Sequence, residues 1–516
     1  MTDTLLGRRR LLELGAGAIA ATALPLRAAP RFDSDPFALG VASGYPAPDG
    51  AVLWTRLAPR PLEAGGGMPA AAVRVHWEIA HDERFARIAA RGTASADPRW
   101  AHSVHVAASG LAPDRWYWYR FHAGDATSPP GRLRTAPATD ALPARLRLAF
   151  ASCQHYEHGY YAAYRHMLAD ELDLVIHLGD YIYEGSWGSK PVRRHGTPEP
   201  RTLDEYRARH ALYRTDPDLQ RAHAACPWAM VWDDHEVEND YAADRSQGLE
   251  DPAAFLRRRA AAYQAYYEHM PMPPSMQPHG PDMRIYERLD HGRLARIHLL
   301  DFRQYRSYQP CPRAGRGGGN MIGPDCSARL DPAATLLGAA QERWLDESLA
   351  GARSGWNLIA QQTLMAQADA AKGPDRRWFS DGWDGYPAAR RRLLDSVVAR
   401  RARNPVVIGG DVHAFWAADL KADFDDPAAP AIASEFVTTS ISSFAPPEER
   451  FATALAEEPH IRFATGLYRG YTRMEITPAR TTVDLRALAD ARDRVSDCST
   501  LASFVVEDGR PGAQRA

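Results

Sequence analysis

Four apolar runs in this chain each end on polar residues that can bind or move charge, and that repetition constrains the fold more than any other feature. LRLAFAS leads to Cys153; DLVIHL leads to Gly179, Asp180 and Tyr183; WAMVW leads to Asp233, Asp234, His235, Glu236 and Asn239; PVVIG leads to Asp411 and His413. Runs that are apolar throughout, rather than alternating, read as strands buried on both faces, as in parallel sheets covered by helices. Open α/β sheets place their sites at the carboxyl ends of such strands. Four strand ends are therefore expected to converge on one chemistry.

The segments between them agree. YYAAYRHMLAD, GAAQERWLDESLAGA and PAARRRLLDSVVARR carry helical patterns, and LARIHLLD, WNLIAQQ and EFVTTS read as further buried strands. An α/β layer architecture with helices covering a central sheet follows. From about Phe37 to Arg134 the pattern is different: AVLWTRL, AVRVHWEIA, SVHVAA and RWYWYRFHA alternate and are separated by turns. That spacing predicts a small all-β sandwich over 35–137, joined by the linker TAPATDALPA to a larger domain over 145–500. The insertions Gly185 to Ala222 and Tyr305 to Ala334 are long and polar enough to wall or cover a site. FSDGWDGYPAARR reads equally as a pocket wall or as a capped helix start.

Charge limits the partners. With 62 basic and 64 acidic residues the net charge is -2, which gives no chain-wide attraction for nucleic acid or an anionic membrane. At 45% apolar and 24% charged the chain fits neither wholesale disorder nor a multi-span membrane protein. An anionic substrate would have to be captured locally, yet the four strand ends are acidic and would repel it unless cations sat among them. Carboxylate, phenolate, imidazole, amide oxygen and thiolate together form the donor set of a trivalent or borderline transition metal beside a hard divalent ion. Each element alone also has a structural reading. Gly-Asp after a strand makes a turn, a lone cysteine packs as a small hydrophobe, Asp233-Asp234 caps a helix, and Asp411-Val412-His413 closes a strand. It is their joint occurrence after buried strands that points to a site.

FASCQ, HLGDYIYE, the run TLDEYRARHALYRTDPDLQRAHAACPWAMVWDDHEVEND, LDFRQYRSYQPC and VVIGGDVHAFW resemble, in order, the blocks of the PhoD-type alkaline phosphatase family. GDYIY is also similar to the G-D-x-x-Y element of purple acid phosphatases. The resemblance implies a metallophosphatase domain of two mixed sheets flanked by helices, and hydrolysis of phosphate monoesters or diesters. It implies a ferric ion held by Cys153, Asp180, Tyr183 and His413, and one or two calcium ions beside it. Asp180 would bridge, and Asn239 and Asp411 would contribute oxygens on the calcium side. By the same analogy His235 protonates or orients the leaving oxygen and Asp234 sets its tautomer. Cys153 departs from the binuclear phosphoesterases at large, which carry Asp-x-His after their first strand. Two other readings stand beside this one: a phospholipase D or other phosphodiesterase on the same scaffold, and a noncatalytic surface-binding protein with a decayed site.

Arg8, Arg9 and Arg10 precede an uncharged stretch from Leu14 to Leu26, too short to span a bilayer, which needs about 20 residues. Residues 1–29 accordingly read as a twin-arginine export signal, the mature chain beginning near Ala29, which places the protein in the periplasm or outside the cell. The alternative is an amphipathic leader on a cytoplasmic protein. No later segment reads as a membrane anchor. Cys311 and Cys326 flank a Gly- and Pro-rich stretch that a disulfide would restrain, while Cys226 and Cys498 either pair or stay as thiols.

Overall fold

The computed structural model describes residues 31–516, so the expected leader at 1–29 lies outside the described residues. The chain is mixed α/β, with two large sheets. A ten-stranded sheet contains the parallel strands Leu146–Ala151, Leu174–Leu178 and Pro227–Val231 at its centre. A seven-stranded sheet contains the parallel strands Ala295–Leu299, Trp356–Ala360, Pro405–Gly409 and Ala431–Val437. The four apolar runs that end on polar residues are strands with every residue buried or nearly so. The main core lies between the sheets, where Ile176 and Val231 of one share a cluster with Leu358, Val406 and Phe436 of the other. A second core packs Leu345 and Leu349 of helix Gly338–Ala350 and Leu393 and Val397 of helix Pro387–Ala399 on the outer face of the seven-stranded sheet.

One expectation from the sequence needs correction, and one segment has a regularity that its composition did not announce. The correction concerns the β segment at 35–137. Its strands do form two layers around a core of Leu53, Val75, Ile79, Tyr119 and Phe121, but one layer is not a separate sheet. Strand Val41–Ala47 pairs in parallel with Pro227–Val231, so Val41–Ala47, Gly50–Arg56 and Ser103–Ala108 extend the ten-stranded sheet. The physical reason is that Pro227–Val231, fully buried, would otherwise present an unpaired edge. Gly44 permits the approach, since a Cβ there would lie 2.4 Å from the Pro271 carbonyl oxygen and 2.7 Å from that of Trp228. The sheet also continues past residue 500 through strands Cys498–Glu507 and Arg510–Arg515.

The unannounced regularity is in the insertion from Gly185 to Ala222. Its second half is helical: Leu203–Arg214 starts with a capping box between Thr202 and Glu205, and Pro217–Ala225 starts with Asp216 accepting from the Asp218 and Leu219 amides. Tyr206, Tyr213 and Leu219 bury these helices against the first sheet. The insertion from Tyr305 to Ala334 is irregular and carries the Cys311–Cys326 disulfide; Cys226 and Cys498 are free.

The interior holds uncharged imidazoles. Burial lowers His177, His210 and His298 to about 3 and His105 to about 4. An unfolded histidine binds its proton near pH 6.5. Below that value the unfolded chain takes up more protons than the folded one, so stability falls with pH until the folded values are reached. Each such histidine contributes about 1.4 kcal/mol per pH unit within that window. Neither ring nitrogen of His177 has a hydrogen-bond partner. His177→Phe is therefore expected to reduce the loss of unfolding free energy between pH 6.5 and 5 by about 1.4 kcal/mol per unit. Denaturant titrations of both proteins at these pH values check this, and parallel slopes would refute it.

Candidate metal centre

The site forms where the carboxyl ends of strands from the two sheets meet. Cys153, Asp180, Asp411 and His413 all take left-handed backbone conformations, with φ of 60°, 56°, 63° and 55°. Such residues cost on the order of 1–3 kcal/mol each and persist only where their surroundings fix them. Here the surroundings do so. The Cys153 and Gln154 amides donate to the Gly179 and Asp180 carbonyls at 3.1 and 3.0 Å. The Cys153 carbonyl accepts from the Ser443 amide and hydroxyl, and Ser152 bridges to Ser440 from the second sheet. Gly179 has φ of 105°, and a Cβ there would lie 2.5 Å from that of Asp233. Glu236 accepts from the amides of Asp180, Tyr181 and Asp233 at 3.1, 2.5 and 2.8 Å. It ties two of the strand ends together and is thereby consumed. The segment after Trp232 is a turn, which removes the reading of Asp233-Asp234 as a helix cap.

Two groups of donors result, and Asp180 belongs to both: Cys153, Asp180 and His413, and Asp180, Asp234 and His235, with the ligand atoms of each group within 4.8 Å of one another. The Tyr183 hydroxyl lies 2.9 Å from Asp180 Oδ2, 3.1 Å from His413 Nε2 and 2.8 Å from Ser443 Oγ. His413 Nδ1 donates to the Phe444 carbonyl at 2.6 Å, which leaves Nε2 as the lone-pair nitrogen beside Tyr183. Asp411 and Asn239 border the same cavity, and Asp411 joins neither tight group. Thr363 Oγ1 donates to Asp411 at 2.6 Å.

His235 departs from expectation in one respect. Its Nδ1 sits 2.7 Å from Glu184 Oε2, and Glu184 Oε1 accepts the Asn239 amide at 2.8 Å. Asp234 has no hydrogen bond to His235. Its Oδ2 accepts from the Asp240 amide, and its Oδ1 lies 3.5 Å from Arg303 Nη2. The carboxylate bonded to the His235 ring is thus Glu184, four residues beyond Asp180 in HLGDYIYE. That spacing is the one sequence signal that marked it.

The donors fit cations. Asp180 Oδ1 and Asp234 Oδ1 are buried without hydrogen-bond partners. Burial, reinforced by Asp234, Glu236 and Asp411, drives the Asp180 carboxyl well above its ordinary range. Burial and then Asp234 raise Asp411 to about 6; burial and then Asp381 raise Asp240 to about 7. Burial followed by the charge of Asp180 pushes up both the Cys153 thiol and the Tyr183 phenol. Burial takes His413 down to about 3, which keeps its imidazole neutral, as a ligand must be. Burial opposes charge on His235 too, but Glu184, Asp234 and Asp180 together hold its pKa well above normal. Acceptors crowded beyond their hydrogen-bond supply, next to a neutral imidazole and a thiol, form a site that a cation completes.

The cavity over this centre measures about 440 Å³. Beyond the acidic end its wall is apolar, built from Leu364, Phe379, Trp383, Trp416 and Phe451. FSDGWDGYPAARR forms the pocket wall, since Phe379, Trp383 and Asp384 line the cavity; helix Pro387–Ala399 also begins within it, but no side chain caps that helix. From the first insertion Trp187 reaches the cavity. The second insertion instead braces its wall, with Met321–Ile322 paired to Trp378–Phe379 and the Asn320 amide donating to Ser380.

Two facing sheets with paired donor groups sharing one carboxylate at their strand ends define a metal-binding hydrolase site. The profile of the PhoD-like phosphatase family matches residues 148–485, and that of the PhoD-like phosphatase N-terminal domain matches residues 21–137. Alkaline phosphatase D of Bacillus subtilis (strain 168) is 46% identical over 98% of this chain and 89% of its own length. A solved structure of PhoD superposes with a TM-score of 0.90 at 46% identity, covering 95% of this chain and 93% of that one. The chain belongs to the PhoD-like phosphatase family and is a phosphoesterase.

A carboxylate behind a metal-ligating histidine is worth about 10–100-fold in activity or metal affinity, and an effect of that size is expected of Glu184 behind the His235 ring. Glu184→Gln keeps the size and loses the charge that orients His235, so kcat on an aryl phosphate is expected to fall by about that factor with the fold intact. A kcat within twofold of wild type would remove Glu184 from the mechanism.

Proposed function

We propose that this phosphoesterase hydrolyses phosphate monoesters outside the cytoplasm with one ferric ion and one or two calcium ions, on a metallophosphatase sandwich preceded by an N-terminal β layer. The observation that carries the reading is the pair of donor groups meeting at Asp180. Cys153, Tyr183 and His413 would hold the ferric ion with Asp180, since thiolate and phenolate suit a trivalent ion. Asn239 and Asp411 would supply oxygens to calcium, and Asp234, whose Oδ1 accepts no hydrogen bond and lies close to Asp180, would join that side rather than serve His235. When bound, the cations would neutralise the phosphoryl oxygens and act as Lewis acids.

The protein groups then have distinct tasks. Asp180 offsets charge on both sides of the centre. His235, held at Nδ1 by Glu184, is suited to give a proton to the leaving oxygen, because Glu184 and Asp234 favour its charged form. The apolar wall takes the organic part of the ester and excludes water from it. Because the cavity is larger than a phosphate group, diesters remain a second reading, and product analysis on phosphatidylcholine separates the two. Among the described residues no helix is long and apolar enough to cross a membrane.

Aryl phosphate turnover by the purified chain with iron and calcium present tests the whole reading, and its absence would sink it. Asp180→Asn should lower kcat below a tenth of wild type while circular dichroism stays unchanged, because an amide cannot balance two cations; activity above that level would refute the bridge. Tyr183→Phe tests the iron reading without catalysis. Phenolate bound to ferric ion absorbs visible light, so the isolated protein should be coloured and the variant bleached or shifted at equal iron content. An unchanged band would return Tyr183 to the role of a buried aromatic.

A further inference from the structure

A second cleft lies at the opposite end of the same strands. Leu174–Leu178 runs from this cleft, which Asp173 and Val175 line, to Gly179 and Asp180 at the metal centre, a span of about 16 Å for five residues. The cleft measures about 270 Å³ and is lined by Arg132, Arg134, Arg145 and Arg147. These come from two copies of the tripeptide Arg-Leu-Arg, at 132–134 and 145–147, on either side of the expected linker. In an extended chain residues two apart share a face, so each copy delivers two guanidiniums to one side. The intervening leucines, Leu133 and Leu146, are buried.

The four arginines are not equivalent. Arg134 is paired with Asp114 and Asp173, and Arg147 with Glu171 and Glu475. These two are fixed and neutralised. Arg132 and Arg145, both exposed at the mouth of the cleft, have no carboxylate within 4.0 Å among the described residues. Arg132 stacks its guanidinium 4.2 Å from the Trp116 ring centroid, which leaves its N–H edge free. Arg134 adds a buried Nε with no partner. Two unneutralised charges and one orphan donor in a cleft this size form a receptor for a compact dianion.

We propose that this cleft binds a phosphate dianion, free or as the end of a monoester, at a site separate from the metal centre. The assignment stands on the arginines alone and does not depend on which cations the centre holds.

Equilibrium dialysis with radiolabelled inorganic phosphate tests it on the full chain. The Asp180→Asn background weakens capture at the metal centre, so phosphate still bound there should be lost, with affinity falling at least tenfold, when Arg132→Ala and Arg145→Ala are added. The same arginine pair placed in the wild-type enzyme should leave kcat on an aryl phosphate within twofold, since neither residue approaches the centre. Equal competition by glycerol phosphate would assign the site to any phosphate dianion, and its failure to compete to the free ion. Unchanged phosphate binding on adding the two arginine substitutions, or no binding in Asp180→Asn to begin with, would overturn the proposal. Should the phosphoesterase reading itself fail, wild type would show no turnover while the arginine-dependent binding persisted.

Discussion

Everything in this protein is arranged around buried carboxylates that exceed their supply of internal counter-charge. Asp180, Asp233, Asp234 and Glu236 are all nearly inaccessible to water and lie on two adjacent strand ends. Burying an uncompensated carboxylate costs several kcal/mol, so each must be paired, bonded or neutral. Glu236 is satisfied by three backbone amides. Asp233 takes Arg303, whose guanidinium also reaches Asp381 at 2.9 Å and lies 3.5 Å from Asp234. Arg306 supports Asp381 in turn. After this accounting Asp180 Oδ1, Asp233 Oδ2 and Asp234 Oδ1 still lack a hydrogen-bond partner, and Asp180 and Asp234 face the same group of donors. Arg303 and Arg306 serve chiefly the outer carboxylates, while Asp180 and Asp234 share the charge of His235 and each keep one oxygen without a hydrogen bond.

The backbone is committed to the same end. Left-handed conformations at Cys153, Asp180, Asp411 and His413 are unfavourable one by one, and they occur at the ends of three different strands. Each turns a side chain off the end of its strand instead of letting it alternate to the next face. The cost is offset by hydrogen bonds between strand ends and by the bridge from Ser152 to Ser440 that joins the sheets. Such strain concentrates at functional sites because nothing in folding alone would select it.

What the sequence made legible follows from the range of the interactions. Strands buried on both faces are continuous apolar runs, so the four strand ends could be read directly, as could the helices between them. Glu184 and Arg303 could not. Arg303 meets Asp233 across 70 residues, and nothing local distinguishes it from the many other arginines in the chain. Glu184 was visible only as a neighbour of Tyr183, and its bond to His235 spans 51 residues. The helices within the first insertion were masked by its polar composition, because they bury tyrosine and arginine rather than a clean aliphatic stripe: Tyr206, Arg209 and Tyr213 face inward.

The pairing of Val41–Ala47 with Pro227–Val231 was the least legible feature, since two strands so far apart in sequence carry no local sign of their register. Yet it bears directly on the site. Pro227–Val231 is the strand that carries Asp233, Asp234 and His235 at its end, and it has two neighbours, Leu174–Leu178 on one side and the N-terminal strand on the other. The Tyr45 hydroxyl donates to the Met230 carbonyl at 3.0 Å, within that strand, and Trp54 Nε1 donates to the Glu268 carbonyl at the end of helix Pro252–His269. Without the N-terminal layer the strand holding half of the acidic centre would be an unpaired edge, free to shift relative to Asp180. The β segment is therefore not an accessory carried beside a catalytic unit. It pairs with the start of that strand, at Pro227 and Trp228, and the Tyr45 hydroxyl holds the Met230 carbonyl three residues before Asp233, so the strand that leads to two of the carboxylates is braced from that side.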